Sequence, residues 1–276
     1  MYWKLHPVIQ NAVREESHMA TTKNIQSIER AFAILESFQR CGGGEQSVKE
    51  ISEMLGLNKS TTFGLINTLT NLGYLQQNEN NQKYVLGLKL LSFSNTIKVQ
   101  NSIIRTVHPY LEQITRKYGE TAHCAVERNY SVIYVDKVES SGSVSINTQI
   151  GTQNFMHCTG MGKCILAYMP PEYQEHIFSG PLKTKTYNTI TNSEQLREEV
   201  RKIREQGYSI DNEESEIGLT CVAVPVLSSP DKVACSISIS GMTPRVQIAL
   251  KSGLLEDLKT AAAAISRSMF GYDPAA

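Results

Sequence analysis

The apolar period of this chain changes once, near residue 120. Before that point hydrophobic residues recur every three or four positions; after it they alternate. The first spacing suits a helix and the second a strand. The switch predicts two domains of different class, and 276 residues suffice for both.

In the helical half, NIQSIERAFAILESF places Ile25, Ile28, Phe32, Leu35 and Phe38 on one expected core face. CGGGE then breaks the helix. Ser47 and Glu50 have capping-box spacing before VKEISEML, and Gly56 ends that short helix. Asn58 is the expected cap of a third helix, KSTTFGLINTLTNLGYL. Short helix, glycine turn, helix is a helix-turn-helix pattern. The expected three-helix core is Val48, Ile51, Met54, Leu55, Leu57, Phe63, Ile66 and Leu69. YLQQNENNQKYVLG then reads as a hairpin wing with a polar tip.

The start of the third helix carries Asn58, Lys59, Ser60, Thr61 and Thr62, short hydrogen-bonding side chains and one cation. Such residues suit phosphates and base edges in a major groove, although Ser and Thr at a helix start also serve as plain caps. Lys83 in the wing is placed to touch a phosphate. Lys and Arg equal Asp and Glu at 27 each, so a nucleic-acid role must rest on a local surface. Residues 21–90 hold seven Lys/Arg against six Glu, so one copy offers few phosphate contacts and two copies double them.

LKLLSFSNTIKVQN and IIRTVHPYLEQITRKYG are amphipathic and form a candidate linker over 88–119. Pro109 is expected to restart or kink the second of these helices, and Gly119 to stop it. TAHCAVERN, YSVIYVDKVES and SVSINTQIG read as strands, and CVAVPVLSSPDKVACSISISG as a hairpin. MGKCILAYM, PPEYQEHIF and NSEQLREEVRKIREQGY read as intervening helices, and RVQIALKSGLLEDLKTAAAAISRSMF as one closing helix. The class is α+β, with an antiparallel sheet in the second domain.

HCTGMGKC, residues 157–164, offers several chemistries. A nucleotide-phosphate loop needs Gly at 157 and Ser or Thr at 164, where His157 and Cys164 stand. Zinc would need further ligands from His123, Cys124 or Cys221. A Cys158 or Cys221 nucleophile would need a base such as His157 or His123. Alternatively, Thr159-Gly160-Met161-Gly162 opens a helix whose start suits a small carboxylate. Ser236, Ser238 and Ser240 alternate on one strand face, either solvated or lining a cup. Asp211 is a candidate for a ligand hydroxyl, whereas Glu213, Glu214 and Glu216 read as a solvated acidic loop.

Several motifs together, in order, resemble the IclR-type transcriptional regulators over about 24–270: SIERAFAILESF, EISEMLGLNKSTTFGLINTLTNLGYL, YVLGLKLL, HCTGMGKCILAYMP, REQGYSIDNEES, and EIGLTCVAVPV with SISISG. The resemblance implies a winged helix-turn-helix over 23–87 after a flexible extension, 1–22. It also implies linker helices over 88–119 and a GAF-like effector-binding domain over 120–272. It implies double-stranded operator DNA, a homo-oligomer (dimer or dimer of dimers) and a small-molecule effector, often an organic acid. The candidate DNA-contacting set is Ser47, Asn58, Lys59, Ser60, Thr61, Thr62, Gly64, Asn67 and Lys83. The effector set is Gly160, Met161, Asp211, Cys221, Ser238 and Ser240. Relatives commonly carry arginine near Gly64 or Leu65 and small residues at Cys158 and Cys164, so both surfaces depart from the family here. No cofactor, metal or catalytic set is expected. A cysteine enzyme and a sensor acting only through protein partners stay as alternatives. No apolar run approaches the ~18 residues of a membrane helix, and the scattered cysteines fit reduced thiols in a cytoplasm.

Overall fold

The computed structural model describes residues 24–139 and 148–274. The extension at 1–22 and most of the strand expected in SVSINTQIG lie outside them. The chain divides between Ile97 and Lys98 into two compact units.

In the first unit, α1 (Gln26–Arg40), α2 (Val48–Leu55) and α3 (Lys59–Asn71) surround Ile34, Phe38, Ile51, Ile66 and Leu69. A two-stranded wing, β1 (Leu75–Gln77) and β2 (Tyr84–Leu86), adds Leu75 and Tyr84. The capping box forms as read: Ser47 Oγ accepts from Glu50 N at 3.2 Å, and Ser47 N donates to Glu50 Oε2 at 2.6 Å. Gly56 closes α2 in the left-handed region at φ 62°. Asn58 occupies the cap position of α3 but makes no side-chain cap bond.

Two helix faces differ from expectation. In α1 the apolar arc is wide enough to hold two stripes, and the core takes the one through Ala31, Ile34 and Phe38. Ile25, Ile28 and Phe32 are exposed instead. In α3 the buried stripe is Thr62, Ile66 and Leu69, while Phe63 is 55% exposed and Met54 of α2 is 41% exposed. Thr62 is tolerated inside because its hydroxyl donates back to Asn58 O at 3.1 Å. A hydrophobicity pattern cannot see that self-satisfied threonine.

The helix α4 (Leu90–Gln100) runs across the division, and α5 (Ser102–Tyr118) opens on Asn101, whose Oδ1 accepts from Ile103 N at 3.0 Å. Pro109 neither ends α5 nor starts a new helix. Val107, Leu111 and Ile114 on both sides of it are buried against one surface, which holds the helix together. Gly119 stops α5 at φ 70°.

The second unit is built on an antiparallel sheet of β3 (Thr121–Arg128), β4 (Ser131–Val138), β5 (Gln153–Phe155), β6 (Ser209–Asn212), β7 (Leu219–Ser229) and β8 (Lys232–Met242). Their spatial order is β5-β4-β3-β8-β7-β6. The β3–β4 turn uses Asn129 and Tyr130, both at positive φ, as tight hairpins require. SIDN, just before the acidic run, is the edge strand β6. One sheet face is apolar, with Cys124, Val222, Val224, Ile237 and Ile239 under α5 and the C-terminal helices. Those are α9 (Thr243–Lys251) and α10 (Leu254–Phe270), not one helix; Gly253 at φ 96° breaks them. The other face carries α6 (Gly160–Leu166), α7 (Pro171–Ser179) and α8 (Ser193–Gln206). Ser236 and Ser238 are fully buried there, so this is not a solvated face.

Ile66→Ala should cost ~2–5 kcal/mol as a buried truncation, while Phe63→Ala should stay within ~0.5 kcal/mol as a surface change. Urea unfolding of the two variants checks which stripe of α3 is the core.

Candidate functional site

On α3, Lys59, Ser60, Thr61, Gly64 and Asn67 are exposed together, with Asn58 before them. Thr62 does not join them: it is fully buried, and its hydroxyl is used within the helix. Lys83 is held by Glu50, Nζ to Oε1 at 3.2 Å, so its ammonium is already paired. Ser47 is half-buried, with its hydroxyl in the α2 cap. The wing tip is tied down separately: Glu45 accepts from Asn78 Nδ2 at 2.7 Å and Asn81 Nδ2 at 2.5 Å.

In the second unit a cavity of about 240 Å³ lies between the first turn of α6 and the polar sheet face. Gly160, Met161, Asp211, Cys221 and Ser240 share its wall, joined by Tyr134, Thr148 and Lys185. Ser238 is the one predicted residue absent from the wall; it is completely buried below it. A larger groove of about 740 Å³ beside Tyr168 and Arg204 holds none of the predicted residues.

The glycines of α6 have steric roles. A Cβ on Gly160 would stand 3.0 Å from Cys221 Sγ, so glycine here lets the helix approach β7. A Cβ on Gly162 would stand 2.5 Å from Thr159 Oγ1 and 2.6 Å from Met156 O. Thr159 caps the helix, accepting from Gly162 N at 3.1 Å and donating to Phe155 O at 2.9 Å.

Lys163, the lysine of the G-x-G-K run, does not face a ligand. It is fully buried and ion-paired with Glu214. Its Nζ also donates to Ile210 O at 2.9 Å and lies 3.4 Å from Glu199 Oε1. Glu214 is therefore not part of a solvated loop: it is 5% exposed. Glu213 is half-buried and accepts from Thr243 Oγ1 at 2.9 Å, and Glu216 is exposed. Asp211 Oδ1 accepts from Glu214 N at 2.7 Å and Ser215 N at 3.3 Å, folding the turn back on β6. Burial, and then the Glu214 charge, push the Asp211 carboxyl up to about 7. Sequence reasoning missed the Lys163–Glu214 pair because its members are far apart in the chain and no local pattern joins them.

The thiols of the site are protonated. Burial raises Cys158 and Cys164 to about 12 and Cys221 to about 11. A nucleophile needs the opposite shift. His157 Nε2 meets Lys183 O at 3.0 Å, and His123 Nε2 meets Thr148 Oγ1 at 2.7 Å. Among the described residues, no group of three or more His, Cys, Asp or Glu is gathered for a metal.

Residues 27–79 match the IclR helix-turn-helix domain, and residues 96–267 match the family described as bacterial transcriptional regulator IclR C-terminal. The chain belongs to the IclR family. It is 34% identical over 249 residues to the HTH-type transcriptional regulator XynR of Escherichia coli strain K12, covering 90% of this chain and 98% of that one. The crystal structure of Thermotoga maritima IclR matches with a TM-score of 0.75 at 32% identity, over 90% of this chain and all of that one. An IclR homolog from Microbacterium hydrocarbonoxydans, complexed with 4-hydroxybenzoate, shares the fold at 21% identity, with a TM-score of 0.76, over 89% of this chain and 100% of that one. This IclR-family protein is thus a transcriptional regulator with a DNA-binding helix-turn-helix domain and an effector domain.

Glu214→Gln leaves the Lys163 charge buried with a weakened partner and should cost ~3–5 kcal/mol; replacing both residues by apolar ones of similar size should recover most of it. Chemical denaturation of the single and double variants checks this. The raised Asp211 pKa favours the protonated acid in the folded state, so its contribution to stability is lost as pH rises from 3.8 through about 7. Asp211→Asn should therefore gain stability relative to the parent across that window, read from unfolding midpoints at stepped pH. In a short iodoacetamide pulse at neutral pH, exposed Cys41 should label first and the buried thiols slowly, as read by peptide mass spectrometry.

Proposed function

We propose that this regulator binds operator DNA as a homodimer or dimer of dimers and changes its occupancy when a small carboxylate enters the cavity at Gly160, Met161, Asp211, Cys221 and Ser240. The observation that carries the effector reading is the convergence of those residues, distant in sequence, on one small polar cavity. Lys185 supplies a cation to its wall, and hydroxyls and a carboxyl supply the remaining polar contacts. The fold holds a small aromatic acid in the Microbacterium protein.

The DNA reading rests on the exposed run Asn58, Lys59, Ser60, Thr61, Gly64 and Asn67, which puts short donors and one cation at the start of the recognition helix. Thr62 is no contact in this reading. Ser47 can donate its hydroxyl hydrogen while its oxygen stays in the Glu50 cap, and Lys83 reaches DNA with its charge partly neutralised by Glu50. The self-pairing surface is the exposed apolar stripe Ile25, Ile28 and Phe32 of α1, and, on and next to α4, Leu88, Leu91, Phe93 and Ile97. Exposed apolar stripes of that composition are normally covered, and two copies would double the modest phosphate contacts of one. Population shift links the two functions: an effector that binds one arrangement of the dimer better moves the balance toward it. Among the described residues no helix is long and apolar enough to cross a membrane, and we place the protein in the cytoplasm with its operator.

Gel shifts with DNA upstream of its own locus should give a complex at low salt that weakens steeply as salt rises. Lys59→Ala should reduce the slope of log affinity against log salt by ~0.9 per copy, one phosphate contact. A salt slope unchanged by Lys59→Ala removes that residue from the interface. No complex at any salt sinks the DNA reading, and protein capture without DNA would favour a partner-only sensor.

A further inference from the structure

The helix α3 carries two adjacent residues that nothing inside the chain explains. Phe63 is 55% exposed, a large aromatic outside the stripe of Thr62, Ile66 and Leu69 that faces the core. Gly64 follows it in mid-helix, where glycine costs stability relative to alanine. Gly56 and Gly119 answer to a positive φ, and Gly160 and Gly162 to close neighbours. Gly64 answers to neither: its φ is ordinary, and a Cβ there would meet nothing within 4 Å. Its carbonyl accepts from Thr68 Oγ1 at 2.9 Å, so the helix is intact around it. The reason for both residues lies outside the chain.

Their place on α3 says where. Helical spacing runs Ser60, Gly64, Asn67 and Asn71 down the middle of the exposed face, opposite the core stripe, with Lys59 and Phe63 on its flank. A helix-turn-helix domain turns this face to the major groove. Lys59 is the single cation of α3, so the arginine fork that commonly reads guanine is missing. The face offers instead an amide at Asn67, matched to adenine, and a ring at Phe63, matched to the C5 methyl of thymine. Adenine and thymine are the two halves of one base pair. A side chain at 64 would hold the backbone away from the base edges, whereas glycine leaves a notch. A second copy of the chain is a poorer cover for Phe63. Its neighbours one turn away are Lys59 and Asn67, and burying them against protein would strand a charge and an amide.

We propose that Phe63 packs on a thymine methyl in the major groove, and that Gly64 is the notch that lets α3 come close enough for this contact. The operator half-site then holds an A·T pair read without arginine. This deepens the DNA reading above and rests on it.

In the test, full-length protein selects sites from a random duplex pool, and the selected duplex is remade with uracil for thymine at each position in turn. Uracil lacks only the methyl. At one thymine of the half-site the replacement should weaken the complex about fourfold, the worth of one buried methyl. Phe63→Ala should bind the thymine and uracil duplexes equally, with its urea midpoint close to the parent's. Phe63→Leu, still apolar, should keep part of the difference. Gly64→Ala should move two readouts in opposite directions. Its unfolding temperature should rise by a few degrees, while its complex weakens roughly tenfold, the worth of one base contact. Uracil tolerated at every thymine overturns the methyl contact, as does a thymine preference that survives Phe63→Ala. Binding by Gly64→Ala as tight as the parent's overturns the notch. In those cases a complex that still weakens steeply with salt leaves the DNA reading standing. Selection of no sequence overturns both.

Discussion

The Lys163 ammonium ties together the elements that wall the cavity. It sits in the middle of α6, fully buried, and gathers Glu214, the Ile210 carbonyl and Glu199 around itself. Through these contacts the short helix is fixed to β6, to the turn that follows it and to α8. A charge buried this deeply is tolerable only while every partner stays in place. The same turn carries Asp211, whose carboxylate binds the Glu214 and Ser215 amides. The positions of Asp211 and Gly160 across the cavity are thus two ends of one electrostatic tie.

The sheet divides its labour by face. Ile237 and Ile239 of β8 look into a dry layer under α5 and α10, while Ser236 and Ser238 look into the layer under α6. Ser236 donates to Val224 O at 2.9 Å, whereas Ser238 stands beside the Cys221 thiol. Alternation along one strand separates an apolar layer from a polar one, so the apolar face can be packed densely while the polar face keeps a small opening.

Much of this organisation is legible in the sequence because it rests on short-range physics. The Ser47–Glu50 box and the Gly119 stop involve residues within a few positions of each other, and each appears as read. Five of the six residues that the resemblance suggested for an effector share the wall of one cavity, a gathering that only the family pattern, not local spacing, could point to. The failures involve competition or distance. The choice between two stripes of α1, and between Thr62 and Phe63 on α3, depends on what packs opposite. The Gly253 break was hidden in an otherwise continuous apolar pattern. Lys163 and Glu214 lie 51 positions apart, and His123 acquires its neighbours only through strand register.

Glu50 serves two structures at once. One oxygen takes the Ser47 amide at the head of α2, and the other takes the Lys83 ammonium from the wing. The hydrogen bonds from Ser47, and then from Lys83, hold its pKa down to about 2. The carboxylate therefore acts as a gauge block between helix and wing. A chimera that borrows the wing of a relative would keep this second use of Glu50 only if the position of Lys83 stayed cationic; with a neutral residue there, Glu50 would serve the helix alone, and the wing would rest on the Gln46–Tyr84 bridge and on Leu75 and Tyr84 in the core.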